Sequence, residues 1–270
     1  MTVVAADQTA VVAGNGASLA DITPGTVSTD DFILRTNSFF FEPAYYLGRR
    51  VDLAMIAGDP RVMPFVFETL WACRSHYDLK GWSTHDLRGL KAGQRRFAPL
   101  YRPMRYRDPE METEVGALCA RYQRKPTTGV ITALMAHALG ARQIVLAGID
   151  LYTTDRRYVY DPGLNYRALM GLDVGGRGID DKLHSQDLDR AVLAALNARR
   201  DVTLFAASAN TALTDIMEPA PQRPGPRPDC APHDAPKDWV GRVGLYPIGL
   251  LRLLRSGRSL QKRMVAPKAL

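Results

Sequence analysis

Apolar positions along the chain fall into short β-branched runs, separated by stretches where apolar residues recur every three or four positions. Residues 9–19 read Thr-Ala-Val-Val-Ala-Gly-Asn-Gly-Ala-Ser-Leu. The Val11–Val12 pair predicts a buried strand, Gly14 and Gly16 a tight turn, and Ser18 the cap of a short helical turn. Further strands are predicted over 31–36, 51–56, 143–150 and 202–206. Helical spacing of Val62, Phe65, Val66, Leu70 and Trp71 predicts a helix over 62–72, and others are predicted over 115–122, 130–139 and 187–199, with Gly140 stopping the third. Residues 74–112 are mixed and basic and carry no period that assigns them to an element. Strands alternating with helices predict an α/β fold, and a strand that enters a glycine turn before a helix start is Rossmann-like.

Three later segments break this pattern. Residues 161–183 contain Gly163, Gly171, Gly175, Gly176 and Gly178, too long a stretch for an ordinary connection and suited to a mobile lid. Residues 218–238 hold seven of the chain's 18 prolines and predict a stiff, non-helical linker. From Trp239 onward, leucines alternate with arginines. Residues 239–270 carry Arg242, Arg252, Arg255, Arg258, Lys262, Arg263 and Lys268 and no acid, which equals the +7 net charge of the whole chain. The remainder is neutral, so a nucleic-acid partner is not expected. The tail predicts either a helix packed on the body or a partner subunit, or an interfacial helix on anionic lipid, with Trp239 and Tyr246 at headgroup depth.

A length of 270 residues suits one large domain, alone or with a small lobe. Three scattered cysteines without C-x-x-C spacing fit a reducing compartment and argue against structural zinc. No apolar run reaches the ~18 residues of a spanning helix. Residues 1–8 have neither a basic run nor an apolar segment, so a cleaved signal peptide is not expected.

Several stretches, in order, resemble the bacterial sialyltransferases of glycosyltransferase family 42, such as the Campylobacter lipooligosaccharide enzymes. They are Val-Ala-Gly-Asn-Gly-Ala-Ser-Leu at 12–19, Arg-Thr-Asn-Ser-Phe-Phe-Phe-Glu at 35–42 with Tyr-Tyr-Leu-Gly at 45–48, and Gln-Arg-Lys-Pro-Thr-Thr-Gly at 123–129. Ala-Leu-Gly at 138–140, Gly-Ile-Asp-Leu-Tyr at 148–152, Tyr158, His184-Ser185, Ala209-Asn210 and Ile-Met-Glu-Pro at 216–219 follow. They extend over most of 11–220, leaving 60–115 and most of the glycine-rich stretch unmatched. The resemblance implies a single Rossmann-like domain of the glycosyltransferase A-variant type over 9–217, with a lid at about 155–185, the linker at 218–238 and a membrane-associated tail at 239–270. The implied reaction is inverting and metal-independent: sialic acid passes from CMP-sialic acid to a terminal galactose or sialic acid of a bacterial surface glycan. A homotetramer at the cytoplasmic face of the inner membrane is implied with it.

Carried over residue by residue, the resemblance makes His184 the general base. A neutral imidazole near pH 7 is matched to a sugar hydroxyl's proton. Tyr152 and Tyr158 stabilise the leaving phosphate, with Tyr160 and Tyr166 as competitors for the second role. Asn15, Gly16, Asn37 and Ser38 contact the donor, the Gly16 N–H reaching phosphate. Thr127, Thr128 and Gly129 offer a helix N-terminus to a carboxylate or phosphate, and Arg124 or Lys125 stands at the site's mouth. His76, His85, His137 and His233 are read as structural, and Asp187 and Asp189 as solvent-facing. The chain departs from the family at Ala17, Ser38 and Asp59, where proline, glutamine and asparagine are usual. These departures leave room for another CMP-activated acidic sugar. Two other classes fit less of the sequence: a nicotinamide-dependent oxidoreductase, resting on Gly14 and Gly16 alone, and a non-catalytic membrane-bound sensor.

Overall fold

The computed structural model describes residues 3–176, 178–179, 183–209 and 211–265. Asn210, positions 177 and 180–182 of the glycine-rich stretch, and the end of the tail at 266–270 lie outside the described residues. The first half runs β1 (Ala10–Ala13), β2 (Phe32–Thr36), β3 (Arg50–Val51), β4 (Leu53–Met55), α1 (Met63–Ala72), β5 (Asp78–Leu79), β6 (Trp82–Ser83) and α2 (Leu87–Phe97). There follow α3 (Pro109–Tyr122), α4 (Thr128–Ala138), β7 (Gln143–Ala147), α5 (Leu164–Met170), α6 (Gln186–Asn197), β8 (Thr203–Ala206) and β9 (Glu218–Pro219). A short hairpin, β10 (Arg242–Val243) and β11 (Tyr246–Pro247), leads into α7 (Ile248–Val265).

Seven strands form one parallel sheet in the order β6-β4-β2-β1-β7-β8-β9. Its central strands are apolar throughout because both faces are covered. Val11, Ala13 and Ile33 face one core, with α1 and the aromatic block Phe39–Phe41, while Ala10, Val12, Phe32 and Leu34 face the other, with α4 and α6. The chain adds strands outward from β1 through β2 and β4 to β6, then returns to β7 on β1's other side. The sheet's switch point therefore lies between β1 and β7, where α/β folds open a crevice beyond the strand ends.

The predicted strand over 51–56 divides into β3 and β4, and β3 pairs with β5 in a separate two-stranded ladder. The predicted helix over 115–122 begins earlier, at Pro109, where the Asp108 carboxylate accepts the Met111 N–H at 2.9 Å. The unassigned region 74–112 supplies β5, β6 and α2. Residues 218–238 contain no helix and lie along the body. Arg223 pairs with Asp31 at 2.7 Å, the Thr29 N–H donates to Pro226 O, and His233 is buried against Glu42 O. Beneath this strap, the Arg35 guanidinium on β2 meets Glu42 in a fully buried pair that Tyr77 completes through its hydroxyl, 2.9 Å from Glu42 Oε1. Burial raises the Glu42 carboxyl above its usual range against the pull of Arg35.

Candidate functional site

A cavity of about 500 Å³ opens at the switch point. Gly14, Asn15 and Gly16 after β1 form part of its wall with Gly148, Ile149 and Asp150 after β7. The two turns are locked to each other. The Gly14 N–H donates to Ala147 O at 2.9 Å and the Gly16 N–H to Gly148 O at 2.8 Å. A Cβ at Gly14 would run into the Gly148 carbonyl, and one at Gly16 into the Asp150 carboxylate. These glycines serve close packing, and the Gly16 N–H expected to reach phosphate is already engaged. Ser18 is likewise no helix cap. Both its N–H and its hydroxyl donate to the Asp150 carboxylate, tying the short helical turn to the β7 exit.

Asn15 donates from Nδ2 to Thr36 O at 3.0 Å, leaving its buried Oδ1 without a partner. Asn37 has φ 46°, and its Oδ1 accepts the Ala57 N–H at 2.9 Å, so its Nδ2 donors are what it can offer a ligand. Ser38 also lines the cavity and is buried. At the α4 N-terminus, Thr127, Thr128 and Gly129 face the cavity too, but an internal acid has taken the first donor. Asp189 on α6 accepts the Thr127 N–H at 2.8 Å. Asp189 is 1% exposed, correcting the expectation that it faces solvent, and its Oδ2 has no partner. Burial pushes its carboxyl up to about 6, against the opposing Thr127 N–H.

The opposite wall is the loop after Asp150. Leu151 and Tyr152 are both left-handed, with φ of 49° and 60°, and this turns the Tyr152 ring into the cavity. Tyr158 lines the same space. Its ring stacks on Tyr160 at 5.1 Å, and its hydroxyl accepts from Tyr166 at 3.2 Å. Tyr160 lies behind, buried and outside the lining, so of the two competitors only Tyr166 reaches the cavity, as a support to Tyr158. Between them stands Arg157, its guanidinium 4.7 Å from the Tyr152 ring centre and 5.4 Å from that of Tyr158. Burial raises the Tyr152 phenol while the Arg157 charge pulls it down.

His184 enters from the start of α6, with Nδ1 3.4 Å from Lys125 O. A proton on Nδ1 shared with that carbonyl leaves Nε2 as the basic nitrogen. Lys125 thus acts through its backbone. Arg124 lies outside the lining, and its guanidinium bonds the Gln123 carbonyl at 2.8 Å. His85 is in the lining, not in a purely structural position. Burial lowers its pKa, and the nearby Lys125 and His184 add to this. Two more residues come from the tail. Trp239 is 4% exposed and stacks on Tyr166 at 4.4 Å, which removes it from any headgroup role. Arg255 of α7 pairs with Asp59, which Arg61 also holds at 2.9 Å. Burial would raise the Asp59 carboxyl, but bonds to Arg61 and the Arg255 charge hold it below its usual range. Asp59 therefore presents a compensated charge at the cavity.

Sequence reasoning misses His85, Trp239 and Arg255, which tertiary contact alone collects, and Arg157, which stands beside Tyr158 in the chain without a pattern that marks it. Asp189 did carry a signal: it shares the face of Val192, Leu193 and Leu196 at helical spacing, and all four are buried.

No protein-family model matches the chain, and no curated protein matches it. Solved structures do. The monofunctional alpha-2,3-sialyltransferase Cst-I from Campylobacter jejuni superposes with a TM-score of 0.75 at 20% identity, over 97% of this chain and 98% of that one. The Campylobacter jejuni sialyltransferase CstII, in complex with the substrate analogue CMP-3FNeuAc, gives 0.71 at 21% identity, over 86% and 94%. CST-II with a trisaccharide acceptor and CMP gives 0.65 at 21%, over 86% and 94%. The likeness is one of fold, and it agrees with the resemblance read from the sequence.

Proposed function

We propose that the chain is a sialyltransferase, transferring sialic acid from CMP-sialic acid to a terminal galactose or sialic acid of a bacterial surface glycan with inversion and without a metal. The observation that carries this reading is that Tyr152, Tyr158 and His184 line one cavity at the switch point of a sheet shared with proteins of that activity. In the reaction, Nε2 of His184 takes the acceptor hydroxyl's proton as its oxygen attacks the anomeric carbon from the face opposite the phosphate. Phenol O–H groups of Tyr152 and Tyr158 donate to the departing phosphate, where charge grows in a water-poor site. The unpartnered Oδ1 of Asn15 and the Nδ2 donors of Asn37 offer polar groups to the donor, and residues 155–185 serve as its lid lobe. A nicotinamide oxidoreductase is disfavoured because the N–H groups of Gly14 and Gly16, the two glycines on which that reading rests, are already engaged.

Incubation with CMP-sialic acid and a galactose-ended glycan, with chelator present, is expected to release CMP and extend the glycan. His184→Ala is expected to lower kcat by roughly 10²–10⁴-fold, as loss of a general base does. Release of free sialic acid across many acceptors, without glycan extension, would overturn the transfer. An extended glycan from a different CMP-linked acidic sugar, in preference to sialic acid, would instead reassign the donor.

The tail is proposed to dock on the anionic cytoplasmic face of the inner membrane, and the chain to assemble as a homotetramer, which a solution mass measurement tests. Leu250, Leu253 and Leu254 are exposed on α7 among its arginines, whereas Ile248 and Leu251 are buried against the body. No helix among the described residues is long and apolar enough to cross a membrane. Since Trp239 and Arg255 belong to the cavity, deleting the tail would damage the site. Paired Leu253→Glu and Leu254→Glu substitutions are the cleaner probe. They are expected to abolish sedimentation with phosphatidylglycerol vesicles, and salt is expected to weaken the parent's binding. Unchanged sedimentation of the pair would refute the docking.

A further inference from the structure

Arg157 is a charged group of the tyrosine wall that the reaction above leaves unused. Its Nε and Nη1 are buried and have no hydrogen-bond partner. None of the salt bridges among the described residues includes it. The rings of Tyr152 and Tyr158 hold the guanidinium between them, and its own N–H is fixed to Gly175 O at 2.8 Å. A guanidinium cannot shed its proton at neutral pH, and a half-buried cation whose buried nitrogens lack an anion carries a desolvation cost. The position is thus built for a negative charge that arrives with a ligand. Across the cavity, the usual competitor for that role is closed, because the N–H groups of Gly14 and Gly16 are bonded to the β7 turn.

Resting on the reading of the site as one for a CMP-linked sugar, we propose that Arg157 binds the donor's phosphate and stabilises it as it leaves. When the bond between the anomeric carbon and the phosphate oxygen breaks, its electron pair stays on that oxygen. The acceptor oxygen bonds the carbon, and the acceptor's proton passes to His184. The phosphate goes from a diester monoanion to a monoester dianion, so a fixed cation beside it gains in strength along the reaction. Arg157 stays protonated throughout. The planar fork matches phosphate oxygens in pairs, while the flanking phenols donate from either side.

Calorimetric titration of the full chain with CMP and with cytidine tests this, using the parent, Arg157→Gln and Arg157→Lys. The parent is expected to bind CMP more tightly than cytidine. Arg157→Gln is expected to lose CMP affinity by about tenfold to a hundredfold, the range of a lost charge-assisted hydrogen bond, with cytidine affinity unchanged. Arg157→Lys, which keeps the charge without the fork, is expected to fall between the two and carries the test if the glutamine variant fails to fold. Equal loss for CMP and cytidine would make Arg157 a prop for the tyrosines and overturn the proposal, as would unchanged CMP binding. A loss confined to CMP-sialic acid, with CMP itself bound normally, would move the contact to the sugar's carboxylate and overturn it too. A parent that binds neither CMP nor cytidine would instead sink the reading of the whole site, and the proposal with it.

Discussion

The two walls of the cavity use their polar groups in opposite ways. On the wall built by the β1 and β7 exits, the N–H groups of Gly14, Gly16 and Ser18 are committed to Ala147, Gly148 and Asp150, and the buried Asn15 Oδ1 is the exception that has no partner. On the wall built by the loop from Leu151 to Tyr166, Arg157 is held in place by rings and by its own backbone N–H, and two of its buried nitrogens are left without partners. The first wall is a frame, and its hydrogen bonds are spent on rigidity. The second carries the donors whose partner must be a ligand. Glycines after a strand suggest a phosphate cradle when read alone, but what decides the matter is where each N–H is already committed.

Breaking the frame is the harshest test of this contrast. Gly14→Ala places a methyl group against the Gly148 carbonyl, where the nearest atoms are backbone and cannot swing aside as the end of a flexible side chain would. Overpacking of this kind costs about 3 kcal/mol or more, the upper end of the usual range. For a chain of this size that lowers Tm by roughly 6–12 °C. A thermal melt checks it, and an unchanged midpoint would mean the two turns are not locked. If Gly14 instead served ligand approach alone, the substitution would spare stability and lower only CMP affinity.

Much of the frame is legible from the sequence because burial on both sheet faces leaves continuous β-branched runs, as in Val11–Val12 and Ile144–Val145. The helices α1, α4 and α6 show their period for the same reason. Region 74–112 was opaque on physical grounds. β6 is only Trp82–Ser83, and α2 meets it at a glycine, Gly93. Gly93 sits where a Cβ would strike Trp82 and Phe67, so a residue that reads as a helix breaker is a contact point. The α3 start is marked by its cap and not by its apolar period, since Asp108-Pro109-Glu110 is a cap, a first-turn proline and a first-turn acid. At the site, Tyr152, Tyr158 and His184 were found through their spacing within a family-like pattern. Arg157 sits between the tyrosines, yet one arginine in an arginine-rich chain carries no mark until its missing partners are seen. Trp239 and Arg255 reach the cavity from a tail whose composition points to lipid, because composition does not distinguish the tail's exposed residues from those packed on the body.

Asp189 of α6 sharpens the contrast, being an acid at the start of α4 that is only half satisfied. Its Oδ1 has the Thr127 N–H and its Oδ2 has nothing. In the folded chain its carboxyl titrates at about 6, against 3.8 for an unburied aspartate. The folded state therefore holds this proton more tightly than the unfolded state. Below about pH 4 both states are protonated and the group costs nothing, while ionisation between about pH 4 and 6 removes stability as pH rises. At 1.36 kcal/mol per unit, the loss across that window amounts to roughly 1–3 kcal/mol. Asp189→Asn keeps an oxygen for the Thr127 N–H and cannot ionise. The variant is expected to match the parent's Tm near pH 4 and to exceed it near pH 7. Melts that run parallel across the window would show that Asp189 is charged throughout, and would put a ligand-like anion at the start of α4 that the frame itself supplies.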